Sequence, residues 1–348
     1  MKRPNTYVVD SFVSYMDEEE IKLSFKNSNY LQRELSHKKQ SVIKTIRNTI
    51  LSSTLHTDLD EATIVKYYKK VSTNKTYQSL KEHLYFTAVK NQRLVSIHKI
   101  FESAYEKTTF NIEKFFNQVN DYNGIYFLPV DNKQSVEFEN KLGVIIKGIE
   151  SEFEDFYENL NIPFLKTTEL MEGVEKNSHI ANSMVILDPY IFIDDNKRTP
   201  KIPNIIKTIK HFIPQDLAIP FTVTIVTKNA ENNLLFENKR KQIVDGLGGK
   251  EKVSVEVFAP KTINESDRYV ITNYSLMTAG HPFDRTTSFS CNFLISCVDD
   301  NTVLKKYEDW DNKLCQIKTI INNTPDFYGN IKASFYDETS KNRLLHHC

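Results

Sequence analysis

The sequence predicts an α/β chain, α+β overall, in two parts: a mainly helical domain over residues 1–165 and an α/β domain over 180–348. Three observations predict it. From about Ser36 to Tyr122 apolar residues recur at helical spacing. From Ser183 onward, short apolar or alternating runs alternate with helical patterns, which is the signature of βαβ units and a mixed, partly parallel sheet flanked by helices. The texture changes between Asn161 and Asn182, with no internal repeat and no low-complexity linker.

The elements follow in order. Val42, Ile43, Ile46, Ile50 and Leu51 mark a first helix. Asp58, Asp60 and Glu61 give an acidic start to a helix through Val65 and Tyr68. Leu80, Leu84, Ala88, Leu94, Ile97 and Phe101 form one long helical stripe carrying His83 and His98, too far apart on one helix to share a metal. Gly124–Val130 is a short buried strand or extended connector. Leu142, Ile145, Ile149, Phe153, Phe156 and Leu160 form a second stripe, whose outer face holds Glu150, Glu152, Glu154, Asp155 and Glu158. In the second part, strands are expected over 183–190, 221–227, 253–258, 266–274 and 288–298. Helices are expected over 202–212, 234–247 and 303–322, the middle one ended by Gly248 and Gly249.

Composition bounds the function. The chain has 348 residues, room for two cores, and 40% hydrophobic residues, an ordinary folded composition. Lys+Arg and Asp+Glu both number 45, so global attraction to nucleic acid or an anionic membrane is absent and only a local basic patch would serve. Scarce Gly with plentiful Lys, Asn, Ile and Tyr points to an A/T-biased, bacterial genome. Cys291, Cys297, Cys315 and Cys348 show no Cys-x-x-Cys spacing, so no zinc site, redox motif or cofactor is indicated, and a reducing cytoplasm is expected. The start Met1-Lys2-Arg3-Pro4-Asn5 lacks a following apolar core, so no signal peptide is read, and no apolar run approaches a membrane span.

The most informative motif is Asn264-Glu265-Ser266-Asp267-Arg268-Tyr269-Val270-Ile271-Thr272-Asn273-Tyr274, followed by Gly280-His281-Pro282-Phe283-Asp284. With the Asp188-Pro189-Tyr190 strand end, it resembles a phospholipase D-like half-domain over about 183–330. The nearest subtype is the non-catalytic C-terminal domain of MIT-domain proteins. The active family uses a His-x-Lys-x4-Asp strand. Here Ser266 stands at the His position, Arg268 at the Lys position and Asn273 at the Asp position. The resemblance implies an imidazole nucleophile in active members, and a serine hydroxyl lacks that chemistry, so a non-catalytic domain is expected. Ligand or anion binding falls to Arg268, with Ser266, Asn273, His281 and Asp188 around it. The plainer accounts are an ion pair of Arg268 with Asp188 or Asp284, an exposed turn for His281, and an Asx turn for Asp188 with Pro189.

Other features are weaker. Lys66, Lys69, Lys70 and Lys75 interleave with Tyr67, Tyr68 and Tyr77, a pattern that suits phosphates and bases or simply a solvated helix face. Glu256 with Lys261 only loosely matches a metal-nuclease pair, and Asp194-Asp195 and Asp299-Asp300 read as loop acids. No metal site is expected. The expected function is a non-catalytic module that recognises a phosphate-bearing ligand, nucleic acid or lipid headgroup, or a partner protein, in a bacterial antiviral-defence-type system. The alternatives are a divergent phosphodiesterase or nuclease using Arg268, His281 and Ser266, and a structural dimerisation subunit. A protein partner or homodimer is expected, with nucleic acid or a membrane surface as further options.

Overall fold

The fold is taken from a computed structural model, which describes residues 5–24, 40, 43–44, 47–51, 53–73, 79–148, 180–191, 201–228, 233–249, 253–260, 263, 268–279, 290–293, 300–323 and 342–346. The α/β class holds throughout. The first half, expected as a mainly helical domain, has helices that surround a five-stranded sheet whose order is β3-β2-β1-β6-β7. The strands are β1 (Thr6–Val8), β2 (Leu55–Thr57), β3 (Leu94–Ser96), β6 (Ile125–Leu128) and β7 (Ile145–Gly148), all parallel. Between them run α1 (Asp10–Ser24), α2 (Glu61–Ser72), α3 (Leu80–Lys90), α4 (His98–Ala104), α5 (Ile112–Val119) and α6 (Asn132–Leu142). A small hairpin of β4 (Tyr105–Glu106) and β5 (Thr109–Phe110) follows α4. A central strand first in sequence, with later strands on both sides, is the doubly wound plan, whose switch point lies between β1 and β6.

Both long helical stripes are interrupted. The first breaks after Lys90 because Gln92 adopts a left-handed φ of 55°. Arg93 N then bonds Ala88 O and Gln92 N bonds Val89 O, the paired closure of a Schellman motif. Leu94 is therefore in β3 and Ile97 caps α4, so His83 and His98 stand on different helices. The second stripe breaks at Gly143, φ 63°, and Ile145 opens β7. The rest of that stripe, 149–160 with its acidic face, lies outside the described residues.

The second half contains β8 (Ser183–Leu187), α7 (Lys201–Phe212), β9 (Phe221–Val226), α8 (Asn233–Gly246) and β10 (Val253–Phe258). It continues with β11 (Arg268–Thr272), β12 (Ser275–Ala279), β13 (Ser290–Phe293) and α9 (Asp300–Asn322), and ends in a 3-10 turn at Arg343–Leu345. Its six-stranded sheet has the order β10-β9-β8-β11-β12-β13. The β10-β9-β8 ladder is parallel and the remainder antiparallel. One face packs Ile205, Ile209, Phe212 and Ile243 from α7 and α8, and the other packs Trp310, Leu314, Ile317 and Ile321 from α9.

The halves meet at the amino ends of both sheets. Tyr274 is buried in the first core, where its hydroxyl donates to Gly124 O at 2.8 Å and accepts from Ile145 N at 3.2 Å. Asn182 Nδ2 donates to Tyr122 O at 2.6 Å and Leu142 O at 2.9 Å. Arg343 lies over the Tyr122 ring at 5.4 Å and donates to Pro220 O at 3.3 Å. Both carboxyl edges, where open α/β sheets bind ligands, are left away from this seam.

Candidate functional site

At the carboxyl edge of the first sheet two neighbouring strands are each followed by an aspartate. A short strand ends and an aspartate follows: Tyr7-Val8-Val9-Asp10 and Leu55-His56-Thr57-Asp58. Parallel pairing of Val8 with Thr57 brings the two ends together. Asp10 opens α1, where a carboxylate complements the helix amino terminus. Its backbone N–H donates to Asp58 Oδ1 at 2.6 Å. The third partner arrives from α3: Lys81 Nζ donates to Asp10 Oδ2 at 2.6 Å and to Ser14 Oγ at 2.9 Å. Asp17 Oδ1 accepts from Leu80 N at 2.9 Å, which ties the start of α3 to α1 and sets Lys81 in place.

The surroundings are polar above and closed below. Thr57 Oγ1 donates to Asp58 Oδ1 at 3.3 Å. His98 Nδ1 lies 2.7 Å from Asp58 O, and Ser96 Oγ donates to Leu59 O at 2.6 Å, so β3 joins the same edge. Burial raises the Asp58 carboxyl above the usual carboxylate range, helped by the charge of Asp10 and opposed by the Asp10 N–H bond. Tyr67 is pushed up to about 12 by burial, then by the charges of Asp10 and Glu82. Beneath it Tyr85, ring centroid 5.2 Å from that of Tyr67, is fully buried. Asp10 Oδ1 is buried here without a hydrogen-bond partner, and the Tyr85 hydroxyl is buried against the side chains of Asp10 and Thr57.

Among the described residues, no group of three or more His, Cys, Asp or Glu side chains is placed to hold a metal ion. Asp10 and Asp58 are the two carboxylates at this edge that would hold a hard divalent cation of the Mg²⁺ type, which takes one or two carboxylates and completes its shell with water and phosphate oxygens. The orphaned Asp10 Oδ1 is a ready ligand atom for it.

The residues singled out from sequence fall elsewhere. Arg268 and Asn273 flank β11 at opposite ends, about 16 Å apart at ~3.3 Å per residue, so they do not share one anion site. Asn273 is corrected from ligand-binding to structural: it is fully buried, and its Oδ1 accepts from Asn182 N and Ser183 N at 3.0 Å each. The expected strand through Tyr274 ends at Thr272, because a two-residue turn starts β12 and sends Asn273 and Tyr274 into the first half. Arg268 Nε lies 3.8 Å from Asp188 Oδ1, with the guanidinium 5.1 Å over the exposed Tyr190 ring. Asp188 is fully buried, and its Oδ1 also accepts from Tyr190 N at 2.8 Å, closing the Asx turn with Pro189. Lys66, Lys69 and Lys70 are exposed on α2, with Lys70 Nζ bonded to Glu82 at 2.6 Å. Ser266, His281, Asp284, Lys75, Lys261, Asp194, Asp195 and Asp299 lie outside the described residues.

Reading for catalytic residues by motif passes over Asp10, Asp58 and Lys81. The signal for the first two is an aspartate following a strand, once the strands are known. No protein-family model matches the chain, and no curated protein matches it in sequence. Among the described residues, no helix is long and apolar enough to cross a membrane.

Proposed function

We propose that this protein hydrolyses a phosphate ester at the carboxyl edge of its first sheet. The observation that carries the reading is the chain of contacts Lys81 Nζ–Asp10 Oδ2 at 2.6 Å and Asp10 N–Asp58 Oδ1 at 2.6 Å, beside the switch point of a doubly wound sheet. Asp10 and Asp58 would hold a divalent cation, which would supply Lewis acidity to a phosphoryl oxygen. Lys81 is the point charge that meets a second phosphoryl oxygen, moving from its present ties to Asp10 and Ser14. Ester cleavage places a water oxygen on phosphorus, breaks the bond to the leaving oxygen and passes a water proton to a carboxylate, and the leaving oxygen takes its proton from solvent. The substitutions at the family motif in the second half do not touch this edge.

The test uses the full chain with Mg²⁺ or Mn²⁺ on p-nitrophenyl phosphate, bis(p-nitrophenyl) phosphate and a labelled single-stranded oligonucleotide. Lys81→Ala is expected to lower turnover on the order of 100-fold, the size of one lost charged stabiliser, with the unfolding midpoint kept. Equal rates for wild type and Lys81→Ala contradict the reading.

A second reading concerns the other carboxyl edge. Arg268, stacked on the exposed Tyr190, supports recognition of a phosphate-bearing ligand by the second half, with the phospholipase D-like domain as a binding module joined to the hydrolytic one. Its ligand would be nucleic acid, in a bacterial defence-type assembly with a protein partner or second copy.

A further inference from the structure

We propose that Tyr190 is a stacking platform for an unpaired nucleobase, an inference that rests on the reading of the second carboxyl edge as a site for a phosphate-bearing ligand. Residues 181–189 and Ile191 are buried, yet Tyr190 between them is 41% exposed. A single exposed aromatic needs no explanation by itself. This one is held at three points. Its backbone N–H donates to Oδ1 of the fully buried Asp188 at 2.8 Å. Its carbonyl accepts from Nζ of the buried Lys201, the first residue of α7, at 2.8 Å. Its ring lies under the Arg268 guanidinium, 5.1 Å from the centroid. A buried ammonium is tolerated only where it is bonded, and this bond fixes the position of one exposed ring. The turn is also tied to the end of β9, since Lys228 N donates to Pro189 O at 3.1 Å.

The chemistry around the ring selects the ligand. Arg268 covers one face of Tyr190, and the exposure leaves much of the rest to solvent. A pinned side chain has little freedom left to lose, so a flat group stacks on it at small ordering cost. Among the described residues of the second half, Tyr190 is the one exposed large hydrophobic side chain. Its neighbours are cationic: Arg268 behind the ring and the exposed Lys228 beside Pro189. A lone ring set among cations does not suit an apolar protein anchor, which needs a contiguous patch. It suits a ligand whose flat face is joined to a negative charge, which is a nucleotide. The base has to be unpaired, because bases inside a duplex already stack on both faces. The place agrees with this chemistry: Asp188 follows β8 and Arg268 opens β11 beside it, at the edge where open α/β sheets hold ligands.

The test is fluorescence anisotropy of the full chain with labelled oligothymidylate, oligouridylate, an abasic strand of the same length and a duplex, in chelator so that no probe is cleaved. Wild type is expected to bind both base-bearing single strands. Tyr190→Ala is expected to raise Kd about 10-fold with the unfolding midpoint kept, the size of one lost base stack. Tyr190→Phe keeps the ring and is expected to stay within about twofold of wild type. The abasic strand removes the same contact with no substitution, and wild type is expected to bind it as weakly as Tyr190→Ala binds the full strand. The thymidylate and uridylate arms separate DNA from RNA, and dependence on Tyr190 in either supports the role. Unchanged binding by Tyr190→Ala, or equal wild-type affinity for the full strand and the abasic strand or duplex, overturns the stacking role and leaves recognition through Arg268 standing. A wild type that binds none of the probes overturns the recognition reading itself.

Discussion

Asn273 Nδ2 donates to Asn123 Oδ1 at 2.8 Å, joining residues 150 positions apart at the seam between the sheets. Its Oδ1 caps the start of β8 by accepting from Asn182 N and Ser183 N. An amide does both jobs at once, and a carboxylate does only one. Asn273→Ala is expected to cost about 2–4 kcal/mol, because buried donors lose their acceptor. Asn273→Asp is expected to destabilise as well, since it sets a charge against Asn123 Oδ1. Urea unfolding measures both, and an Asp variant as stable as wild type contradicts the structural role.

Gly143 guards the same seam. Its φ is 63°, and an added Cβ would stand 2.5 Å from Ala181 O and 2.9 Å from Asn182 Cβ. The left-handed backbone alone costs a non-glycine residue roughly 1–2 kcal/mol, and the contact with a carbonyl adds to it. Gly143→Ala is therefore expected to lose more than about 2 kcal/mol in the same measurement. Gly248 is also at positive φ, but an added Cβ there would meet nothing within 4 Å, so Gly248→Ala is expected to lose only the backbone contribution.

Much of the second half was legible in the sequence. The strands 183–187, 221–226 and 253–258 are apolar runs long enough to stand out, and the helices between them carry a clear inward stripe. The separate strand β12 was not, because its turn, Asn273-Tyr274, lacks the glycine that usually announces a hairpin. The first sheet was hidden for a different reason. β1, β2 and β3 are three residues each, too short for any period to show. The break after Lys90 rests on a left-handed glutamine, where a glycine would have been seen. The Asp60 cap of α2 was readable, and its side chain does accept from Thr63 N at 2.6 Å. At the site, Asp10 and Asp58 follow two of these short strands, so their pairing was hidden with the sheet. Lys81 comes from a helix whose docking only the fold reveals.

The pH response of Asp58 has a definite sign. Its carboxyl is raised in the folded protein, first by burial and then by Asp10, so the native state binds the proton more tightly than the unfolded chain. The ionised group therefore costs stability above its folded pKa. That cost fades as pH falls through the folded value and is gone below the unfolded value of 3.8. Asp58→Asn, which keeps an oxygen for the Asp10 N–H, is expected to raise the urea midpoint at pH 8 and to lose that advantage near pH 4. An advantage that grows toward acid contradicts the assignment.

Arg268 separates structure from recognition. Removing it leaves the buried Asp188 without its guanidinium, and Arg268→Ala is expected to lower stability by about 2 kcal/mol or more. If the second edge also holds a phosphate-bearing ligand, the same variant weakens retention of a fluorescent single-stranded oligonucleotide and flattens its salt dependence. Reduced stability with unchanged retention assigns Arg268 to the fold alone.

We infer that the first sheet's carboxyl edge works on phosphate esters through Asp10 and Asp58. The most direct measurement is steady-state hydrolysis of bis(p-nitrophenyl) phosphate by wild type and Asp10→Asn, with Mn²⁺ and again after chelation. Wild type is expected to show turnover that chelation abolishes and that Asp10→Asn lowers on the order of 100-fold or more. Wild-type turnover unaffected by either change, or no turnover with any divalent cation, contradicts it.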